Sequence, residues 1–144
     1  MTKHFSSGSD MNQKILNGVN ILADNVGSTL GPRGRNVILQ EKSKRPIITK
    51  DGITVAKFID LEDPVENAAV QIVKQAAAQT NQVAGDGTTT STVLAREILN
   101  RAQKHISAGT PPVEIQRGIE KAVDAIVENL ESISSPIKSE ADIA

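Results

Sequence analysis

The sequence predicts a mainly helical domain that carries one small β-hairpin. Four long stretches place apolar residues at steps of three and four, the spacing of an amphipathic helix. Only two short apolar runs are typical of strands, and a short polar segment joins them. The chain of 144 residues contains two Phe and no Tyr or Trp, so Ala, Val, Ile and Leu must build the core. Helical proteins can pack in this way, because small residues let helices approach closely.

Charge and cysteine content exclude several classes of function. The formal net charge is −1, from 16 basic and 17 acidic residues, which argues against a general binder of nucleic acid or of membrane surfaces. The scarcity of aromatic residues also disfavours stacking on single-stranded bases. The chain has no Cys, which excludes disulfides and thiolate metal sites and fits a cytoplasmic location. No apolar run is long enough to predict a transmembrane span.

The first third of the chain predicts a helix, a glycine-rich loop and a hairpin. An apolar stripe with helical spacing runs over residues 11–28 and stops at the breaker cluster 30–34, which we expect to be a loop. Residues 37–39 and 46–49 are predicted strands, and the polar residues 40–44 make a plausible connection between them.

The segment after the hairpin is ambiguous. Residues 50–52, Lys-Asp-Gly, predict a turn. In the following stretch ITVAKFID, Ile53, Val55 and Ile59 alternate as in a strand. Val55 and Ile59 are also four residues apart, and Asp51 could cap a short helix. We favour the helix and keep the strand as the alternative.

Three more helices are predicted in the rest of the chain. The first covers residues 64–84, and Pro64 suits its first position. The second covers about 88–108 and ends at Gly109, after which Thr110 is expected to cap a third helix that begins with two prolines. The apolar positions predicted for these helices are Val65, Ala68, Ala69, Ile72, Val73, Ala76, Ala77 and Val83, then Val93, Leu94, Ile98, Ala102 and Ile106, then Ile115, Ile119, Val123, Ile126, Leu130 and Ile133.

The segment Gly-Asp-Gly-Thr-Thr-Thr at residues 85–90 is the best indication of chemistry, because a predicted helix follows it directly. A helix N-terminus presents unpaired N–H groups and a partial positive charge, which suit a phosphate chain. Asp86 repels phosphate, so we expect it to hold a divalent cation such as magnesium. The alternative is a common turn with a threonine helix cap. Neither the P-loop motif nor the dinucleotide-binding glycine motif is present.

Two other loops contribute to this hypothesis. Residues 29–34 could form a backbone nest for phosphate oxygens, or only a helix stop before the hairpin. Asp51 could orient or deprotonate a water that attacks a terminal phosphate, or residues 50–52 could be only a turn. Together the three loops contain what phosphoryl transfer needs, namely backbone donors, a metal ligand and a water-orienting group. Sequence alone does not show that the loops converge.

Four segments resemble the group I chaperonins of the GroEL type. They are TLGPRGRNV (29–37), ITKDGITVAK (48–57), LEDPVENAAVQIVKQAA (61–77) and AGDGTTTSTVLA (84–95). The resemblance runs from about Lys14 to the end of the chain, and these motifs in this order are highly specific. Group II chaperonins share GDGTTT, but residues 34–37, Gly-Arg-Asn-Val, are more similar to group I.

The resemblance implies a fold and a domain division. The chain would be the first half of the helical equatorial ATPase domain of a chaperonin. Residues 1–135 would be the N-terminal half of this ATP-binding domain, and residues 136–144 would begin the hinge to an intermediate domain. Because family members are several times longer, we expect the chain to be truncated and, alone, to show weak or no ATPase activity and poor solubility.

The resemblance also implies which residues act. The positions expected to bind ATP are Thr29, Leu30, Gly31, Pro32, Lys50, Asp86, Gly87, Thr88, Thr89 and Thr90. Asp86 would bind Mg²⁺, Lys50 would lie near the phosphate and a K⁺ ion, and Asp51 would be the catalytic carboxylate. Arg33 stands where the family's loop usually has Lys, which retains the charge but changes its geometry.

For the complete protein, the resemblance implies an ATP-driven protein-folding chaperonin. Its subunits would form a homo-oligomeric ring, as a double heptamer, in the cytoplasm. They would bind unfolded polypeptides and a co-chaperonin through domains outside this chain, with no nucleic-acid or membrane partner. One alternative is a short, non-catalytic interaction module that inserts into the ring or competes with its assembly. A second is an unrelated nucleotide-binding helical domain, which the motif set disfavours.

Overall fold

A computed structural model describes residues 5–139 and shows five helices and a two-stranded sheet within that range. The elements are α1 (Gly8–Gly27), β1 (Val37–Leu39), β2 (Ile47–Thr49), α2 (Gly52–Phe58), α3 (Pro64–Ala84), α4 (Thr88–Ser107) and α5 (Pro112–Ile133). The predicted class, mainly helical with one hairpin, is confirmed. The chain divides into two compact units, the first ending at Arg101 and the second beginning at Ala102, so the boundary falls within α4.

The core of the first unit forms where α1 packs against α3 and α2. Gly18 of α1 lies so close to the backbone carbonyl of Glu66 in α3 that a Cβ at residue 18 would overlap it. This close approach lets small and branched aliphatic side chains fill the core without aromatic rings. The buried cluster consists of Val19, Leu22, Val26, Leu39, Val55, Ala56, Ala69, Val70 and Val73.

Asp63 determines where α3 begins. Its Oδ1 accepts the backbone N–H of Val65 at 2.8 Å and that of Glu66 at 3.1 Å, which makes it the N-cap. Its Oδ2 accepts a hydrogen bond from Lys14 Nζ of α1 at 2.8 Å. This bond lowers the pKa of Asp63 and raises the pKa of Lys14. The same carboxylate therefore starts α3 and ties α1 to it.

The hairpin is antiparallel and short. Val37 pairs with Thr49, Ile38 with Ile48, and Leu39 with Ile47. Leu39 is buried and joins the core, whereas the paired Ile38 and Ile48 are exposed on the other face. The sheet thus packs against the helices through one face. Its second strand ends directly before residue 50.

The ambiguous segment after the hairpin is a helix, as we favoured, and the strand alternative is wrong. Asp51 caps α2 by accepting the backbone N–H groups of Ile53 and Thr54. This cap satisfies two of the backbone N–H groups at the start of the helix, which favours the helical conformation of the segment.

The predicted faces of α3 and α4 are partly wrong. Val70 was not predicted to face the core and is fully buried in α3, while Thr92 is buried in α4. Side chains predicted on the apolar faces that the structure leaves exposed are Ala68, Ile72, Ala76, Val83, Leu94 and Ile98. Both helices carry apolar residues on more than one side, so the helical period alone does not identify the face that meets α1.

Helix ends show two further differences. α1 begins at Gly8, three residues before the predicted start. Thr110 does not cap α5, because the helix begins at Pro112 and its N-cap is therefore Pro111. Thr110 belongs instead to the turn that ends α4, where its backbone N–H donates to the carbonyl of His105. Expectations for residues 1–4 and 140–144 lie outside the described residues.

The second unit contains α5. Its predicted apolar stripe is only half-buried at Ile115 and Ile119 and is exposed from Val123 to Ile133. Among the helices of residues 5–139, none combines the length and the apolar character needed to cross a membrane.

Candidate functional site

Three loops of the first unit converge on one cavity of about 380 Å³. One loop follows α1, one precedes α2, and one joins α3 to α4. All the predicted site residues line this cavity except Pro32, which is exposed and is not among the lining residues. Gly52, Ile53, Asn81 and Gly85 also line it and were not predicted as site residues. The convergence that the sequence alone left open is therefore present.

The loop after α1 is folded back on itself. The Thr29 hydroxyl donates to the carbonyl of Val26 at 2.7 Å, which extends the end of α1. The backbone N–H of Arg35 donates to the carbonyl of Ser28 at 2.8 Å and closes the loop. These bonds hold the backbone around Gly31 against the cavity.

Asp51 is an exposed, charged carboxylate at the start of α2. Its Oδ2 accepts the Thr54 hydroxyl at 2.6 Å and the Thr54 backbone N–H at 2.9 Å, and its Oδ1 accepts the Ile53 N–H at 3.4 Å. The hydroxyl bond from Thr54 is the main cause that lowers the pKa of Asp51. Asp51 is therefore ionised at neutral pH, and Oδ1 can accept a further hydrogen bond.

Lys50 lies beside Asp51 on the cavity wall. It is exposed and forms no salt bridge with another described residue. Its ammonium is therefore available to an anionic ligand in the cavity.

Two glycines turn the chain sharply between α3 and α4. Gly85 has φ 73° and donates its N–H to the carbonyl of Asn81 at 2.9 Å, which ends α3, and Gly87 has φ 86°. Left-handed backbone of this kind favours glycine. Asp86 stands between them and its Oδ1 accepts the N–H of Gly87 at 2.6 Å. The turn thus fixes a carboxylate at the N-terminus of α4.

The N-terminus of α4 presents free donors. The first helical hydrogen bond runs from the N–H of Ser91 to the carbonyl of Gly87 at 2.8 Å, so the N–H groups of residues 88–90 have no acceptor within the helix. The Thr88 side chain is only 7% exposed, yet its Oγ1 has no hydrogen-bond partner in the described part of the protein. This helix end combines backbone donors with a buried hydroxyl that lacks a partner.

Gly52 brings the three loops together. A Cβ at this buried residue would overlap Thr89 Oγ1 and would lie 3.4 Å from Thr29 Oγ1. The start of α2 therefore lies between a side chain of the first loop and a side chain of α4. Only a glycine leaves room for this arrangement.

The donor set fits a metal that is bound together with a phosphate ligand. Among residues 5–139 no three His, Cys, Asp or Glu side chains form a group that could hold a metal ion. Magnesium is commonly bound by one or two carboxylates, with phosphate oxygens and waters completing its shell. Asp86 supplies one carboxylate beside the helix N-terminus, so the site suits a magnesium–nucleotide complex rather than a metal enclosed by protein.

The residues missed by the sequence analysis differ in how visible they were. Gly52 and Gly85 belong to the two motifs at residues 50–52 and 85–90. Their position next to predicted site residues could have identified them from the sequence. Asn81 belongs to no motif, and it reaches the cavity because the last turn of α3 faces the loop that follows it.

A comparison with protein families covers the region that contains this site. Residues 22–144 match the model of the TCP-1/cpn60 chaperonin family, a range that contains all three loops and α2 to α5. The match covers most of the chain and confirms the chaperonin resemblance, in the region of the equatorial domain. The chain belongs to the TCP-1/cpn60 chaperonin family, whose general role is to assist protein folding.

Proposed function

We propose that this chain is the nucleotide-binding part of a group I chaperonin subunit, in which ATP binding and hydrolysis drive a change of ring conformation that assists folding. The observation that carries the proposal is the convergence of three loops on one cavity. The cavity wall supplies free backbone donors, a carboxylate at a helix N-terminus and a second, separate carboxylate.

The phosphates of ATP would bind at the N-terminus of α4. The N–H groups of residues 88–90 and the backbone of the loop around Gly31 would donate to phosphate oxygens. Lys50 adds a positive charge at the wall and, with K⁺, would balance the charge of the phosphates. Asp86 would bind Mg²⁺, which neutralises charge on the phosphates when it is bound.

Asp51 would act on the attacking water. Its Oδ1, which accepts only the long 3.4 Å bond from the Ile53 N–H, would accept a further hydrogen bond from that water. It would take the proton of the water as the water oxygen bonds to the terminal phosphorus. The bond from this phosphorus to the leaving ADP oxygen breaks in the same displacement. The low pKa of Asp51 makes it a weak base, so orienting the water is its main contribution.

The remaining parts of the proposal rest on family membership and on residues 34–37. Their Gly-Arg-Asn-Val sequence favours group I. The complete subunit would form a homo-oligomeric ring, a double heptamer, in the cytoplasm, and would bind unfolded polypeptides and a co-chaperonin through other domains. The 144-residue chain alone would bind ATP and hydrolyse it weakly or not at all.

Magnesium-dependent ATP binding tests this proposal. We expect calorimetric titration of the chain with ATP to show binding that strengthens with MgCl₂. The substitution Asp86→Ala should remove this magnesium dependence and weaken binding at least about tenfold, since it removes a metal ligand. Among the described residues, the one hydrogen bond that this substitution removes from the Asp86 side chain is the bond from the adjacent Gly87, so the fold should survive.

Asp124→Ala is the matched control, because Asp124 is an exposed aspartate on α5 outside the cavity. It should bind ATP as the unsubstituted chain does. Equal magnesium dependence in the Asp86→Ala chain would contradict the proposal.

A second candidate function is the non-catalytic interaction module. The exposed apolar side chains of α5 favour it, because contiguous apolar surface often marks a protein interface. In that case the chain would associate with purified chaperonin rings equally with and without ATP in sedimentation experiments, and Asp86→Ala would not alter the association.

A further inference from the structure

Asn81 lies in a wall shared by two cavities. The second cavity, of about 410 Å³, lies between α2 and α3 next to the nucleotide cavity. Among the described residues, three line both cavities, namely Ile53, Asn81 and Thr88. Two of these three residues are polar, although apolar side chains at the same positions would also separate the two cavities.

The Asn81 side chain has no hydrogen-bond partner in the part of the chain that the structure describes. Its backbone carbonyl is used, because it accepts the N–H of Gly85 where α3 ends. Its side-chain amide makes no hydrogen bond within residues 5–139, and the residue is half-buried. Asparagine is also a weak helix former, so neither helix propensity nor hydrogen bonding explains its presence in the last turn of α3.

Thr88 provides an independent observation at the same wall. Its Oγ1 is buried and lacks a hydrogen-bond partner among described atoms. Buried polar atoms are normally paired with protein groups, water or a ligand. Two polar side chains that lack hydrogen-bond partners among the described residues therefore line the cavity that Asp86 also lines.

The chemistry of magnesium supplies a partner for them. If Asp86 is its protein carboxylate, phosphate oxygens and waters must fill the other positions around the ion. The waters bound to a metal donate hydrogen bonds to outer acceptors, and these acceptors tune the affinity for the metal. Asn81 lies one helical turn before Gly85, and its amide supplies a neutral oxygen acceptor in the wall of the cavity that Asp86 also lines.

Building on the proposed function, we propose that Asn81 is a positioning residue for magnesium, whose side-chain oxygen accepts a hydrogen bond from a metal-bound water. The Thr88 hydroxyl, at the start of α4, forms a hydrogen bond with the waters bound to the same ion. Asn81 thereby acts through the metal, while the phosphate chain is bound by the backbone donors of α4.

The test is a set of ATP titrations of the full chain at a series of MgCl₂ concentrations. For Asn81→Ala we expect the MgCl₂ concentration that gives half-maximal ATP binding to rise about tenfold, as for the loss of other outer-shell partners. ATP binding in EDTA should be unchanged, because the substitution leaves the backbone donors intact. Asn81→Asp keeps a side-chain oxygen acceptor and should restore magnesium affinity to at least the original level.

Gln82→Ala is the matched control, because Gln82 is the next residue and lines the second cavity but not the first. It should leave the magnesium dependence unchanged. Circular-dichroism melting of each variant identifies any loss of fold, and the Asn81→Asp chain decides the outcome if the alanine variant is unstable.

Two results would overturn the inference. If Asn81→Ala requires no more MgCl₂ than the unsubstituted chain, the inference fails while the proposed function remains. If the unsubstituted chain shows no magnesium-dependent ATP binding, the proposed function fails and the inference fails with it.

Discussion

Gly52 lies between two threonine side chains that come from different loops. Thr89 of α4 occupies the space where a Cβ would be, and Thr29 lies on another side. The residue is buried although it begins a helix whose cap, Asp51, is exposed. Its missing side chain therefore determines how closely α2 and α4 approach in the site.

We predict that Gly52→Ala damages both the fold and the site. The added methyl group must displace Thr89, at a cost of about 1–3 kcal/mol in the free energy of unfolding. ATP binding should weaken because Thr89 lines the cavity. Urea unfolding and ATP titration measure the two effects.

Gly118→Ala is the control for this substitution. Gly118 lies within α5 and has no atom near the position of an added Cβ, so alanine should stabilise the helix by about 0.5–1 kcal/mol. The double substitution Gly52→Ala with Thr89→Ala should recover part of the lost stability. A Gly52→Ala chain as stable as the original would contradict the overlap.

The sequence predicted those site residues whose roles depend on neighbouring residues in the chain. The glycine turn, Asp86 and the helix N-terminus of α4 follow from residues 85–90 alone. Asn81 could not be predicted, because its place in the wall depends on how the last turn of α3 lies against the loop that follows it. Pro32 was included through the resemblance, and its loop turns so that Gly31 rather than Pro32 lines the cavity.

Among the elements, α2 depends most on a single side chain. The helix has seven residues, and Asp51 satisfies two of its first N–H groups. The pKa of Asp51 lies below its ordinary value of 3.8, chiefly because the Thr54 hydroxyl donates to it. The stabilisation from this carboxylate is therefore complete above pH 3.8 and is lost as the pH falls through the lower pKa of the folded state.

We predict that Asp51→Ala lowers the free energy of unfolding by about 1 kcal/mol at neutral pH, because it removes the cap. Asp51→Asn should stay close to the original stability there, since asparagine caps as well as aspartate. The asparagine chain should also lose the part of the acid dependence that Asp51 causes. Urea unfolding from about pH 2 to about pH 7 measures both effects. Equal losses in the two variants at neutral pH would contradict the capping role.

For the individual helices, the sequence predicted where a helix begins better than it predicted which face of the helix is buried. Asp51 and Pro64 predict helix starts, because a side-chain cap and the fixed backbone angle of proline are local effects. The buried faces of α3 and α4 depend on which of several apolar sides meets α1. Val70 and Ile72 are both apolar, two positions apart in α3, yet only Val70 is buried.

For the molecule as a whole, the exposed apolar side chains are the main departure from an ordinary surface. Residues of α5 from Val123 to Ile133 keep their predicted helical stripe but are exposed, with Ile126 at 57% and Leu130 at 55%. A stripe of this kind usually lies against other protein. Its exposure supports the expectation that the chain is poorly soluble alone.

We predict that Ile126→Gln reduces self-association of the chain, measured by sedimentation velocity, and reduces binding of the dye ANS. Each effect follows from the removal of exposed apolar area. Glu128→Gln is the control, because it changes an exposed polar residue of the same helix. The two variants behaving alike would show that α5 is not the associating surface.

The partnerless hydroxyl of Thr88 has a consequence for the history of the family. Valine has nearly the same shape as threonine without the hydroxyl, so it would fill the same buried space and avoid a desolvation cost of about 1–3 kcal/mol. A lineage that kept the scaffold but stopped using nucleotide would gain stability from that exchange. If the cavity binds nucleotide as proposed, we therefore expect a relative that has valine at this position to have lost that binding.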